Sequence, residues 1–288
     1  MDTHALVVGE SLVDIVRAPD GSTTERPGGS AANVAVALAR LGRPVRLATA
    51  YADDERGRVL ADRLADEGIE LASTPHAVAR TSTALATIGA DGAAAYEFDL
   101  EWRLHEVADA GPRFVHVCSL GAVVAPGADS VLALLERLRG SATISYDVNA
   151  RPAITGAGPD LVARVERVVS LATVVKVSDE DLAALYPTLR AEDAAEHLRS
   201  MGPHAVALTR GDAGSTWYAA GGPVSIAARL VPVVDTIGAG DTFAAAIIDA
   251  LWDDLDRDPT EVLAHAVRAA AVTVSRAGAD PPYQHELR

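Results

Sequence analysis

Residues 114–209 are the most constraining stretch of the chain. Short, almost wholly apolar runs at 114–117, 143–146, 173–177 and 205–209 alternate with stretches of helical periodicity at 129–138, 160–171, 179–185 and 191–200. A run that is apolar at every position suits a strand buried on both faces. Parallel neighbours need a crossover, usually a helix, between them. The same alternation opens the chain. Residues 5–9 read as a buried strand, 31–41 as a helix closed by Gly42, 45–50 as a strand and 55–67 as a helix followed by Gly68. The pattern predicts one domain over residues 1–288, built on a mostly parallel sheet with helices on both faces. No linker separates two units, and no internal repeat appears. Two stretches break the pattern. Residues 12–17 alternate apolar and polar like a half-exposed strand, and 84–88 and 94–98 flank an Asp91-Gly92 hairpin signal, so a small antiparallel piece is expected there. A further hairpin is expected over 215–226, and the valine-rich residues 230–234 read as a strand or its approach, broken by Pro232.

The formal net charge of −15 argues against general binding of nucleic acid or anionic membrane. Lys176 is the only lysine, so a P-loop (Gly-x-x-x-x-Gly-Lys-Ser/Thr) cannot occur. Cys118 is the only cysteine, which excludes an intrachain disulfide and a cysteine-rich zinc site. Its neighbours Phe114, Val115 and Val117 suggest a buried thiol at a strand end. The first residues lack a basic, then long apolar, run, and no segment approaches the ~20 apolar residues of a membrane-spanning helix. A cytoplasmic protein is expected.

The string Asp235-Thr-Ile-Gly-Ala-Gly-Asp241 leads into Phe243, Ala244, Ile247, Ile248 and Leu251, an apolar face at helical spacing. Gly238 and Gly240 permit a tight turn, so a glycine turn opens directly into a buried helix. The first N–H groups of that helix lack intrahelical partners and attract an anion. Asp241 in the first turn has two readings. It caps the helix, or it is a base beside an anion hole formed by Gly238, Ala239 and Gly240. A second glycine stretch, Gly28-Gly29-Ser30-Ala-Ala-Asn33, opens the helix at 31–41. Asn is a mediocre helix former, and its amide near a helix start can hydrogen-bond a hydroxyl.

Both strings resemble the signatures of the PfkB, or ribokinase-like, carbohydrate kinases. All six specified positions of the C-terminal pattern Asp-Thr-x-Gly-Ala-Gly-Asp match. The resemblance runs from about residue 5 to 282 and turns the reading of Asp241 toward catalysis. It implies a ribokinase-like α/β three-layer sandwich with a small β lid at about residues 12–27 and 81–104. It implies ATP-dependent phosphorylation of a sugar hydroxyl with Mg²⁺. Asp241 would be the base and Gly238, Ala239 and Gly240 the anion hole, while Asp14, Gly28, Gly29 and Asn33 would line the sugar pocket. Asp147-Val-Asn149-Ala-Arg151-Pro152 follows a strand and resembles the Asp-x-Asn-x-Arg of bacterial fructokinases and 2-keto-3-deoxygluconate kinases. There Arg151 would reach substrate or transferring phosphate and Asn149 would lie near the metal. Ser178-Asp-Glu180-Asp181 falls where the family carries Asn-x-x-Glu, with Ser178 at the Asn position and Asp181 at the Glu position. By resemblance Ser178 approaches the nucleotide and Asp181 or Glu180 orients hydrated Mg²⁺; Lys176, inside an apolar strand, either points its ammonium at the nucleotide phosphates from the strand end or snorkels to solvent. Thr209, Gly211 and Gly214 resemble the turn beside the nucleotide phosphates. Asp235 and the segment 275–282 resemble a monovalent-cation site, which implies K⁺, although Pro282 stands where some relatives place Ser. Lid strands pairing between subunits imply a homodimer.

Fructose is the first acceptor expected, from the Gly9-to-Asp14 start, Asp-x-Asn-x-Arg-Pro and the Gly-Ala-Asp-Pro-Pro tail. Ketodeoxygluconate, ribose and nucleosides are the alternatives within the family. Two other classes compete. A Rossmann oxidoreductase is disfavoured because Phe243 stands where the third fingerprint glycine belongs. A sugar or nucleotide sensor without catalysis is favoured by Ser178 and Asp181 and opposed by Asp241.

Overall fold

The computed structural model describes residues 3–89, 94–108 and 111–288. Its strands in chain order are β1 (Ala5–Val8), β2 (Leu12–Arg17), β3 (Thr23–Gly28), β4 (Val45–Ala48), β5 (Glu70–Leu71), β6 (Thr83–Ile88), β7 (Ala94–Asp99), β8 (Phe114–Cys118), β9 (Thr143–Asp147), β10 (Val174–Ser178), β11 (Ala205–Thr209), β12 (Ser215–Tyr218) and β13 (Val224–Ile226). The α-helices are α1 (Ser30–Arg40), α2 (Glu55–Asp66), α3 (Ser119–Val123), α4 (Gly127–Leu138), α5 (Pro152–Thr155), α6 (Pro159–Val169), α7 (Asp179–Leu185), α8 (Ala191–Ser200), α9 (Ala239–Ala250) and α10 (Pro259–Val274).

Nine strands form one sheet in the order β13-β12-β11-β10-β9-β8-β1-β4-β5. Every pair from β11 to β5 is parallel, while β12 and β13 are added antiparallel as the expected hairpin. Both faces are covered. On one, Val34 and Leu38 of α1, Ile247 of α9 and Leu263 of α10 are buried; on the other, Leu135 of α4, Val165 of α6 and Leu198 of α8. The full burial of β1, β8 and the first four residues of β10 explains their mostly apolar sequence, which His116 and Lys176 interrupt. The chain leaves β1 toward β4 on one side and returns to β8 on the other. Open α/β sheets bind ligands at such a switch, beyond the carboxyl ends of the strands.

The second sheet has the order β3-β2-β6-β7 and occupies the two stretches expected for the lid. It is not wholly antiparallel. β2 and β6 pair in parallel, and each then pairs antiparallel with its sequence neighbour. Both inner strands run in one direction and each is followed by a partner that runs back, so the centre of the sheet is parallel. Asp91-Gly92 lies outside the described residues. Of the two readings of 230–234, strand or approach to one, the strand does not form: the segment has no regular structure, and Leu230 and Val233 are 82% and 65% exposed. Pro232 has no N–H to give a ladder. Among the described residues, no helix is long and apolar enough to cross a membrane.

Candidate active site

Gly238 caps α9 with φ of 75°, in the left-handed region, and a Cβ there would lie 2.6 Å from that of Ala279. Both the backbone angle and the close approach require glycine. The turn differs in detail from the expected anion hole. The Ala239 N–H donates back to the Thr236 carbonyl at 3.3 Å, whereas Gly238, Gly240 and Asp241 find no acceptor for their N–H groups among the described residues. The mouth of α9 therefore offers donors to an anion, chiefly from Gly240 and Asp241 rather than from Ala239.

Asp241 is buried beside them. Ser30 Oγ donates to its Oδ1 at 2.6 Å, and Asn33 Nδ2 donates to its Oδ2 at 2.9 Å. A buried carboxylate needs such donors. Ser30 and Asn33 can supply them together because they lie three residues apart on one face of α1. Asn149, in the left-handed region at φ of 37°, donates from Nδ2 to Ser30 Oγ at 3.1 Å. The Asn33 amide, expected in the sugar pocket, braces Asp241, and Asn149, expected near the metal, supports Ser30.

Asp14 on β2 is partly buried at the same opening. A Cβ at Gly28 would lie 2.1 Å from Asp14 Oδ2, and one at Gly29 (φ 98°) would lie 2.6 Å from the Glu10 carbonyl. The paired glycines thus let α1 begin directly against β2. Burial, then the charge of Asp241, pushes the Asp14 carboxyl up to about 6, against the opposing charges of Arg63 and Arg151. Arg151 is exposed, and its Nη1 donates to the Ala150 carbonyl at 3.0 Å, while its charge acts on Asp14.

Three residues at the site were given no role from sequence. Ser30 holds Asp241. Glu10 is buried, accepts from the Gly121 N–H at 3.0 Å and the Ser30 N–H at 3.3 Å, and burial pushes its carboxyl up to about 7. Arg63 donates to Asn33 Oδ1 at 3.3 Å. Glu10 lies within the Gly9-to-Asp14 stretch, the only signal for it. Nothing in α2 distinguishes Arg63 from a solvated helix arginine.

On the other side of α9, Lys176 and Asp147 form a buried ion pair, Nζ to Oδ1 3.1 Å. A Cβ at Gly240 would lie 3.0 Å from that Nζ, so the ammonium faces the glycine turn. The carboxylates of Asp147, Asp181 and Asp241 keep Lys176 charged despite its burial. Ser178 and Asp181, expected at the nucleotide and the metal, instead close a capping box on α7: Asp181 N–H donates to Ser178 Oγ at 3.0 Å and Ser178 N–H to Asp181 Oδ2 at 2.9 Å. Asp181 Oδ1 accepts from the Ala150 N–H at 2.7 Å. One oxygen therefore closes the cap of α7, and the other joins α7 to the loop after β9. Glu180 is exposed, and its carboxylate accepts no hydrogen bond among the described residues, where no three His, Cys, Asp or Glu gather as a metal cage.

Thr209, Gly211 and Gly214 line a cleft of about 410 Å³ that ends at Ala239 and Gly240. Leu230, Val233, Phe243 and Val274 give it apolar walls. An apolar slot running into free N–H donors suits a base attached to phosphates. Asp235 accepts from the N–H groups of Ile237 at 3.0 Å and Gly278 at 2.8 Å, tying the glycine turn to the segment expected at the monovalent-cation site. Burial opposes its charge, yet hydrogen bonds from Ile237, Gly278 and Thr236 and the charge of Arg26 hold its carboxyl below the usual range.

The profile described as "pfkB family carbohydrate kinase" matches residues 2–286. The chain is 30% identical to a fructokinase of Salmonella typhimurium, an alignment covering 100% of this chain and 99% of that protein. Among solved structures, it is similar to the fructokinase of Xylella fastidiosa with bound ATP, with a TM-score of 0.87, 25% identity and coverage of 100% and 97%. It is also similar to a double-mutant fructokinase of Vibrio cholerae O395 in a form bound to fructose, ADP and potassium ion, with a TM-score of 0.84, 25% identity and coverage of 96% and 94%.

Proposed function

The chain belongs to the pfkB family of carbohydrate kinases and is an ATP-dependent carbohydrate kinase with a ribokinase-like fold, and we propose that it phosphorylates fructose or a related ketose with Asp241 as general base. One observation carries the choice of base. Asp241 is a buried carboxylate, oriented by Ser30 and Asn33, at the helix mouth where the apolar cleft ends. In this reading the acceptor hydroxyl lies between Asp14 and Asp241. Asp241 takes its proton as the oxygen attacks the γ-phosphorus, and ADP leaves along the cleft. The free N–H groups of Gly238, Gly240 and Asp241, together with Lys176, meet charge developing on the transferred phosphoryl group. The small sheet acts as a lid that keeps water from competing as acceptor.

Magnesium fits this donor set without a protein cage, because it usually keeps several waters and binds through phosphate oxygens. Glu180 is the carboxylate open to hold it; bound, the ion neutralises phosphate charge. The potassium of the Vibrio cholerae structure supports a monovalent cation beside Asp235. The reading also includes a homodimer paired through the small sheet, where Val16 and Tyr96 are exposed, and a cytoplasmic location where ATP is at hand.

The direct test is ADP release against ketoses, aldoses, sugar acids and nucleosides. Highest kcat/KM with fructose is the expected result; highest kcat/KM with a sugar acid or a nucleoside refutes the ketose assignment. Two further results are expected with the preferred acceptor. Only an ionised Asp14 accepts from a sugar hydroxyl through both oxygens, and its carboxyl lies near 6. The KM for sugar should therefore rise as pH falls below about 6, with the KM for ATP level; parallel rises would separate Asp14 from the acceptor. Arg151→Lys and Arg151→Ala should both lower kcat/KM for the sugar, since an ammonium keeps the charge but not the planar fork. Unchanged kcat/KM in Arg151→Ala would remove Arg151 from the pocket.

A further inference from the structure

Arg63 lies on α2, a helix that none of the site motifs touches. Its guanidinium is partly buried yet forms no ion pair among the described residues. Glu67, one turn further on, pairs with Arg40 instead. Removing a cation from water without a carboxylate partner costs free energy, and burial, with the nearby Arg40, lowers the Arg63 pKa. What it receives in exchange is three uncharged acceptors. Nη1 donates to the Pro27 carbonyl at 2.9 Å, and Nη2 donates to Asn33 Oδ1 at 3.3 Å and to the Ala279 carbonyl at 3.4 Å.

Those acceptors belong to three parts of the site. Pro27 precedes Gly28 and Gly29. Asn33 donates to Asp241. Ala279 is the residue packed against Gly238. The amide of Asn33 also acquires a fixed direction. Arg63 can only donate, so it meets the amide oxygen; the Asp241 carboxylate only accepts, so it meets the amide nitrogen. The charges of Asp14 and Asp241 both favour a cation at this point.

We propose that Arg63 is a positioning residue for phosphoryl transfer: its single guanidinium sets the Asn33 amide against Asp241 and fixes the sugar-side glycines relative to the segment behind Gly238. The proposal rests on Asp241 acting as the base. Arginine is needed because its planar fork reaches three acceptors at once, which a lysine ammonium at the end of a flexible stem does not.

The test compares Arg63→Ala and Arg63→Lys by steady-state kinetics with the best acceptor, by thermal unfolding and by crystallography. Misplacement of a reacting group by about 1 Å can cost ~10²-fold in rate, so both variants are expected to lose about that much kcat while the KM for ATP stays at the wild-type value. Wild-type kcat in either variant overturns the proposal. So does a Lys variant whose Tm, ATP affinity and kcat all fall together, the mark of a merely structural residue. If the Ala variant does not fold, the Lys variant alone decides. If the wild-type protein phosphorylates no sugar, the proposed function fails and the crystal structure of the Lys variant decides this proposal separately. Asn33 turned away from Asp241 supports it, and Asn33 unmoved overturns it.

Discussion

Asp241→Asn is expected to lower kcat by about 10²–10⁴-fold, the usual contribution of a general base, with Tm and the KM for ATP near wild type. The substitution keeps the shape of the side chain and removes its basicity. Its amide oxygen still accepts one of the two donors, Ser30 Oγ or Asn33 Nδ2, and the Ser30 hydroxyl can rotate to accept from the new amide. The fold therefore loses little. A second readout follows from charge. Asp241 raises the pKa of both Glu10 and Asp14. Neutralising it lowers both, so Asp14 ionises at lower pH and the acid rise in sugar KM should move down the pH scale. Near-wild-type turnover in a folded variant removes Asp241 from the base role. An unmoved acid limb separates Asp14 from the acceptor or from Asp241.

Lys176→Met should damage both stability and catalysis. Lys176 is 7% exposed and its partner Asp147 is fully buried, so the change strands a carboxylate without its cation. Breaking a buried pair on one side typically costs about 3–5 kcal/mol. For Asp147, burial outweighs the attraction of Lys176 and already pushes its carboxyl up to about 7. Without Lys176 it is expected to hold its proton well above neutrality. The unfolded chain ionises near the ordinary value, so the penalty should be largest at alkaline pH and fade as pH falls. Pairing Lys176→Met with Asp147→Leu removes the stranded charge and should recover most of the Tm. It should not recover turnover, because the ammonium facing Gly240 is gone. The loss of kcat should resemble removal of one anion-hole donor, about 10²–10³-fold. A double variant with restored kcat assigns the pair a purely structural role. Undiminished Tm in Lys176→Met contradicts the buried pair itself.

Strand and helix positions were legible because burial dictates period. β8 and β10 carry apolar residues where both faces are covered, and α8 shows helical spacing over its full length. The small sheet was legible in place but not in pairing. Alternation at 12–17 and the hairpin signal after 84–88 mark β2 and β6 as strands, yet say nothing about their relative direction, which depends on how both leave the large sheet. The stretch 230–234 left strand and approach open because valines favour strands locally; an N–H-less proline and the lack of a neighbouring strand decided against the strand.

The sequence by itself determined the fold class, the glycine turn and the acid within it, since glycine angles and apolar periods are local properties of the chain. Which donors hold that acid was a tertiary matter. Ser30 and Asn33 meet Asp241 across 211 and 208 residues. Asp181, read as a metal ligand, spends both oxygens on nearby backbone because α7 begins against the loop after β9. Arg63 looks like any helix arginine until α2 packs beside Pro27, Asn33 and Ala279. Hydrogen bonds between distant segments leave no period in the sequence. Only the packed sheet and helices bring their partners within reach, and there the cost of leaving a buried polar group unpaired decides which contacts form.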